Sequence, residues 1–241
     1  MSTHQASLTA DSADLRLTRA EVCALLEERR VLDPDLALPQ LWLECEIAAD
    51  LQLAALLCRV DQVLPAAQAL YDSPVAVGTV LGFAQPDTTL SGILAEARRA
   101  VRMGAREVAV IIHTERLRHG DLGELRRDLS QISEVTSSGG ARLRVVMHTG
   151  ELTPAQIAAG CMVSQEAGAA MVVGGSWFAS AQTSLPELRI MRASVEPGIQ
   201  VKAVGRVRTL DMLLHLHAQG LDRFVAVNPH HVLDEASERT G

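Results

Sequence analysis

From residue 75 onward the chain alternates two hydrophobic patterns. Short continuous apolar runs cover 75–81, 108–113, 143–148, 170–173, 199–204 and 224–227, and amphipathic stretches with helical spacing separate them. The helical stretches fall at 90–103, within 122–135, from Pro154 to about Ala167, near 186–193 and at 209–219. Ahead of this region, Thr18-Arg19-Ala20-Glu21 has the form of a capping box and opens a helix to about Arg30. A turn at Leu32-Asp33-Pro34-Asp35, a helix over 39–50, an apolar run at 53–58 and a helix over 61–71 follow. Residues 1–17 show little periodicity and read as a mobile tail, leaving 18–241 as one domain.

Three joints share one construction. Gly104, Gly168 and Gly220 each stand where a helix must stop, a few residues ahead of a strand. Strands that are apolar throughout are covered by helices on both faces, which predicts a parallel sheet. The strand–helix unit recurs about every 30 residues, and eight such units fit a single (β/α)8 TIM barrel of the α/β class. A doubly wound open sheet is the competing architecture. It lacks its glycine-rich signature, because no strand here leads into a Gly-x-Gly-x-x-Gly turn.

Composition narrows the function. With 2% aromatic residues and a net charge of −7, the 241-residue chain has little to stack on bases and repels phosphate backbones, so no nucleic-acid partner is expected. No apolar run is long enough to span a bilayer, so no membrane partner is expected. The N-terminal residues carry no export signal, and Cys23, Cys45, Cys58 and Cys161 are too scattered for a disulfide framework or zinc site. A cytoplasmic protein with no metal and no cofactor is the expectation. All the basic residues but one are arginine, and the exception, Lys202, lies inside an apolar strand.

In a barrel the C-terminal ends of the strands carry function. His113 ends one strand, His148 the next, Lys202 lies within a third and Asn228 follows the last. An ammonium in Val201-Lys202-Ala203-Val204 either lines a cavity or pairs with a carboxylate such as Glu28. His113 shares strand parity with Ala109 and is expected to point into the mouth. Gly205-Arg206-Val207-Arg208-Thr209 opens a helix and offers an anion site, unless Asp211 pairs with Arg208. His215 and His217 lie two apart on a helix and face different ways, while His230 and His231 read as surface residues of a loop without carboxylate partners.

These residues carry a family resemblance. Val145-Val146-Met147-His148-Thr149-Gly150-Glu151-Leu152 resembles the apolar-Glu-Thr-Gly-Glu-Leu signature of deoxyribose-phosphate aldolases. Gly104-Ala105-Arg106-Glu107-Val108, Ala167-Gly168-Ala169, Val207-Arg208-Thr209 and the Leu32-Asp33-Pro34-Asp35 turn match that family in order, over residues 27 to 228. The resemblance implies a class I aldolase-like (β/α)8 barrel, often a homodimer, that makes or breaks a carbon–carbon bond through a lysine Schiff base.

The family's catalytic groups carry over poorly. Its Schiff-base lysine aligns with Val173 and its relay aspartate with Ala109, whereas its second active-site lysine aligns with Lys202. Arg206 replaces a glycine of its phosphate-binding segment, and its Gly-x-Ser-Ser becomes Val225-Ala226-Val227-Asn228. Ordinary deoxyribose-phosphate cleavage is therefore not expected. The expected catalytic set is Lys202, His148 and His113, with Arg144, Ser176, Gly205, Arg206, Arg208 and Asn228 binding a small carbonyl-containing substrate. Three readings stay open: aldol-type chemistry with Lys202 as amine; non-covalent enol chemistry (isomerase, dehydratase or cyclase); and a non-catalytic metabolite- or partner-binding descendant.

Overall fold

Eight short strands, each too short to bury a face alone, line up in sequence order as one parallel sheet in the computed structural model, which describes residues 15–28, 35–82, 89–175 and 183–240. The strands are β1 (Glu27–Glu28), β2 (Ala55–Cys58), β3 (Ala76–Leu81), β4 (Glu107–Ile111), β5 (Arg142–Met147), β6 (Met171–Gly174), β7 (Gln200–Val207) and β8 (Arg223–Ala226). A parallel bridge between Leu26 and Phe224 joins the last strand to the first, which makes the sheet a (β/α)8 barrel.

The helices are α1 (Arg19–Leu25), α2 (Leu38–Asp50), α3 (Val63–Ala69), α4 (Leu90–Arg102), α5 (Thr114–His119), α6 (Leu122–Ser138), α7 (Pro154–Glu166), α8 (Leu185–Ala193), α9 (Leu210–Ala218) and α10 (Pro229–Thr240). Among the described residues no helix is long and apolar enough to cross a membrane.

Two apolar cores result. The larger lies between sheet and helices, where Val108, Val145, Val172 and Val201 meet Ala97, Leu129, Cys161 and Leu213. The smaller fills the barrel with Ala55, Leu57, Val80, Ala109, Val146, Met171 and Val173. The joints behave as expected: Gly104, Gly168 and Gly220 adopt φ of 103°, 87° and 89°, a left-handed turn that a Cβ would oppose.

Three expectations are corrected and one element is added. The first helix stops at Leu25, because Glu27–Glu28 are needed as the strand that closes the barrel against β2 and the Leu26–Phe224 bridge. Leu15 and Leu17, placed in the tail, pack against the outer core; residues 1–14 lie outside the described residues. His230 and His231 sit in α10 and not in a loop. The polar segment at 114–119, unread in the sequence, forms α5.

Candidate functional site

The inward face of the barrel changes character along its axis. At the floor, near the N-terminal ends of the strands, charged side chains converge from five strands: Glu27, Glu107, Arg144, Lys202 and Arg223. Arg144 Nη1 donates to Glu27 Oε2 at 2.9 Å, and its Nη2 contacts Glu107. Lys202 Nζ contacts the other oxygen of Glu27, and Arg223 lies 3.9 Å from Glu27 and 3.5 Å from Glu107. Arg142 reaches Glu107 from the outer rim of the floor.

Two carboxylates thus serve three buried cations, and burial first, then the neighbouring positive charge, lowers the proton affinity of each cation. Burial, then the Arg223 guanidinium, pushes Lys202 down to about 7, against the pull of the Glu27 carboxylate. Burial and Arg223 also hold Arg144 well below the usual arginine range, and burial with Arg142 brings Arg223 down to about 10.

Hydrocarbon covers this floor. Ala109 and Val146 stand on the same inward face as Glu107 and Arg144, two residues further along β4 and β5, and pack with Leu57, Val80 and Val173. Ala109 and Val173, the positions that resemble the family's relay aspartate and Schiff-base lysine, are therefore apolar and closed to solvent. Two placements need correction. Lys202 does not line the open mouth: it is fully buried and paired with Glu27. Arg144, expected to bind substrate, belongs to the same buried cluster, because its partners Glu27 and Glu107 come from the floor ends of β1 and β4.

The histidines stand at the other end. Arg144 and His148 are four residues apart on β5, a climb of roughly 13 Å. β4 and β5 run side by side to this rim, with the Ile112 N–H donating to the Val146 carbonyl at 2.9 Å. His148 N-caps a 3-10 turn at Thr149–Glu151, and its ring is about four-fifths buried. Its Nδ1 lies 3.9 Å from Glu151 Oε1, whereas Nε2 is sealed from solvent without a hydrogen-bond partner among the described residues.

His113 departs from the parity expectation. β4 ends at Ile111, so His113 turns outward as the exposed N-cap of α5, and its Nδ1 accepts the Arg116 N–H at 3.4 Å.

The remaining candidates spread around the rim. β7 runs on through Gly205, Arg206 and Val207, past an irregularity between Lys202 and Arg206. Arg208 is exposed, and Asp211 pairs with Arg239 at 2.7 Å instead of with Arg208. Asn228 caps α10, its Oδ1 accepting the His231 N–H at 3.4 Å. His231, expected to lack a carboxylate partner, has Glu235 one turn on at 3.3 Å. Ser176 lies outside the described residues, as does the side chain of Arg206. No cluster of three or more metal-ligating side chains occurs among the described residues.

Sequence reading missed Glu27, Glu107, Arg223 and Glu235. Glu107 and Arg223 carry one weak signal, a charged residue at the first position of an apolar strand, and Glu27 carries none, because β1 is itself two charged residues. Glu235 carries none, because its role depends on how α10 packs.

The barrel resembles those of solved aldolases. It superposes on a putative deoxyribose-phosphate aldolase from Coccidioides immitis with a TM-score of 0.83 at 24% identity, covering 92% of this chain and 87% of that one. A tetrameric deoxyribose phosphate aldolase from Aeropyrum pernix gives 0.79 at 20% identity, covering 91% and 92%. No family model matches the chain. Among relatives, the deoxyribose-phosphate aldolase of Streptococcus gordonii is 31% identical over 184 residues, 76% of this chain and 83% of its own length. That of Micrococcus luteus is 34% identical over 163 residues, 65% and 71% of the two chains. The chain belongs to the deoxyribose-phosphate aldolase family.

Proposed function

We propose that this protein is an aldolase-family enzyme that works without an imine, taking a small carbonyl-containing metabolite at the barrel mouth with His148 as its proton-transfer group. The observation that carries the reading is the contrast within β5 and its neighbours. The position resembling the Schiff-base lysine is a packed valine, while the rim holds a largely buried imidazole with one nitrogen unpartnered among the described residues. Buried polar atoms are nearly always satisfied, so an orphaned one at a strand end calls for a ligand group.

The chemistry follows from the tautomer. In the tautomer protonated at Nδ1, the nitrogen on the Glu151 side, the Nε2 lone pair is free to accept a proton. A base so placed removes a proton α to a carbonyl, the first step of isomerisation, dehydration or cyclisation. Lys202 takes no part: it completes the floor. A homodimer working in the cytoplasm belongs to the same proposal, and the four buried, free cysteines suit a reducing compartment.

The test has two arms. Incubation with a reactive aldehyde and borohydride should leave the intact mass unchanged while an imine-forming aldolase is labelled; labelling at Lys202 overturns the reading. A thermal-shift screen of carbonyl metabolites supplies a ligand, whose α-hydrogen should exchange in heavy water with the wild type and not with His148→Gln.

A second reading, binding without turnover, draws on the filled interior of Leu57, Val80, Ala109, Val146 and Val173. It predicts the same ligand stabilisation in both proteins and exchange in neither.

A further inference from the structure

Many (β/α)8 barrels hold a substrate phosphate where the loops after the seventh and eighth strands meet a helix N-terminus. Such a corner works by presenting free backbone N–H groups to the anion. In this chain several of those donors are already engaged. β7 does not break into a loop after Lys202 but continues to Val207, with Arg206 in register with Val225 and the Val227 N–H donating to the Val207 carbonyl at 2.9 Å.

At the start of α9, the Thr209 hydroxyl takes the Met212 N–H, and the carboxylate of Glu235 takes the Leu210 N–H at 2.6 Å. At the start of α10, Pro229 has no N–H to offer, and the His231 N–H is committed to Asn228. Glu235 is itself held from the other side by His231, and Asp211, in the first turn of α9, adds a second carboxylate tied to Arg239. An arriving phosphate would meet the exposed Arg208 but also two carboxylates, one of them already seated on the Leu210 N–H.

We propose that Glu235 is a built-in anion that closes this corner, so that the metabolite taken by the mouth carries no phosphate group. The proposal rests on the mouth being the ligand site. Glu235 is then a specificity-determining residue: its carboxylate occupies the helix-dipole position that a phosphate would otherwise use.

The probe is inorganic phosphate, titrated at constant ionic strength against chloride and followed by phosphorus NMR line width and by calorimetry. The wild type should show no saturable binding. Glu235→Gln removes the charge and keeps a side-chain oxygen for the Leu210 N–H, and it should bind phosphate saturably, at least about tenfold more tightly than the weakest binding the wild-type titration would detect. Asp211→Asn, which does not touch that N–H, should gain less.

Saturable phosphate binding by the wild type, or no gain in Glu235→Gln, overturns the proposal. A measurement on the wild type alone covers the case in which the variant fails to fold. Of two hydroxyaldehydes differing only in a phosphate ester, the unesterified one should give the larger thermal shift, and the reverse order overturns the proposal. Neither result bears on imine formation, so the two proposals fail separately.

Discussion

The floor and the mouth of this barrel are built on opposite principles. At the floor, five charged side chains from five strands are buried together, and each is held by partners far away in sequence: Lys202 by Glu27, Arg144 by Glu27 and Glu107. At the mouth, His113 and Asn228 are exposed and engaged mainly in capping the helix that follows them, while His148 keeps one nitrogen unspent. In an enzyme family one expects the charged centre to be the reactive one. Here the charge is locked into ion pairs at the floor, and the proposed chemistry is placed at the rim.

The largest effect should come from breaking the floor. Arg144→Ala removes the guanidinium that bridges Glu27 and Glu107 and leaves a cavity where a large side chain was fully buried, and breaking a buried pair in this way costs about 3–5 kcal/mol. Calorimetric unfolding checks it. A loss no larger than that of a surface substitution would mean that the cluster is not what holds the barrel closed.

Lys202→Met should cost less, about 1–2 kcal/mol, because Glu27 keeps Arg144 and one surplus cation is removed. Its sharper signature is in the pH dependence. With its pKa lowered from 10.5 to about 7, Lys202 binds more protons unfolded than folded between those values. Its contribution to stability is therefore complete above the unfolded value and is lost as pH falls through about 7. The wild type should gain stability relative to the variant as pH rises across that window, by at most about 1.4 kcal/mol per pH unit. Parallel curves for the two proteins would show that Glu27 keeps the ammonium fully charged.

The same contrast explains what could be read from the sequence. Strands such as Val108–Ile111 and Val145–Met147 were legible because apolar runs between helical periods have one economical use, and the three glycine joints fixed where helices give way to strands. β1 was not legible: Glu27–Glu28 is two charged residues at the end of a helical pattern, and it is a strand only because β2 and Phe224 need a neighbour.

Lys202 was rightly singled out as an inward amine but set at the wrong end of the barrel. Its height depends on a partner some 175 positions earlier, which no local pattern displays. His113 was misread for a different reason. Parity holds only while the strand lasts, and β4 ends two residues short of it.

At the mouth, expected losses of stability are smaller. Asn228→Ala removes the α10 cap and should cost about 1 kcal/mol, read as a modest fall in Tm.

His113→Ala is the smallest effect and the one that best separates the two histidines. The imidazole caps a six-residue helix through a 3.4 Å contact, at the long end of hydrogen bonding, so about 0.5 kcal/mol is expected. Because the ring is exposed and turned away by the end of β4, the variant should still bind the metabolite and exchange its α-hydrogen at the wild-type rate. His148→Gln should lose that exchange with little change in stability, since the Nε2 it gives up has no partner among the described residues to miss it. If His113→Ala instead abolishes exchange, the reactive imidazole is the capping one, and the contrast between a locked floor and a reactive His148 at the rim has been drawn on the wrong strand.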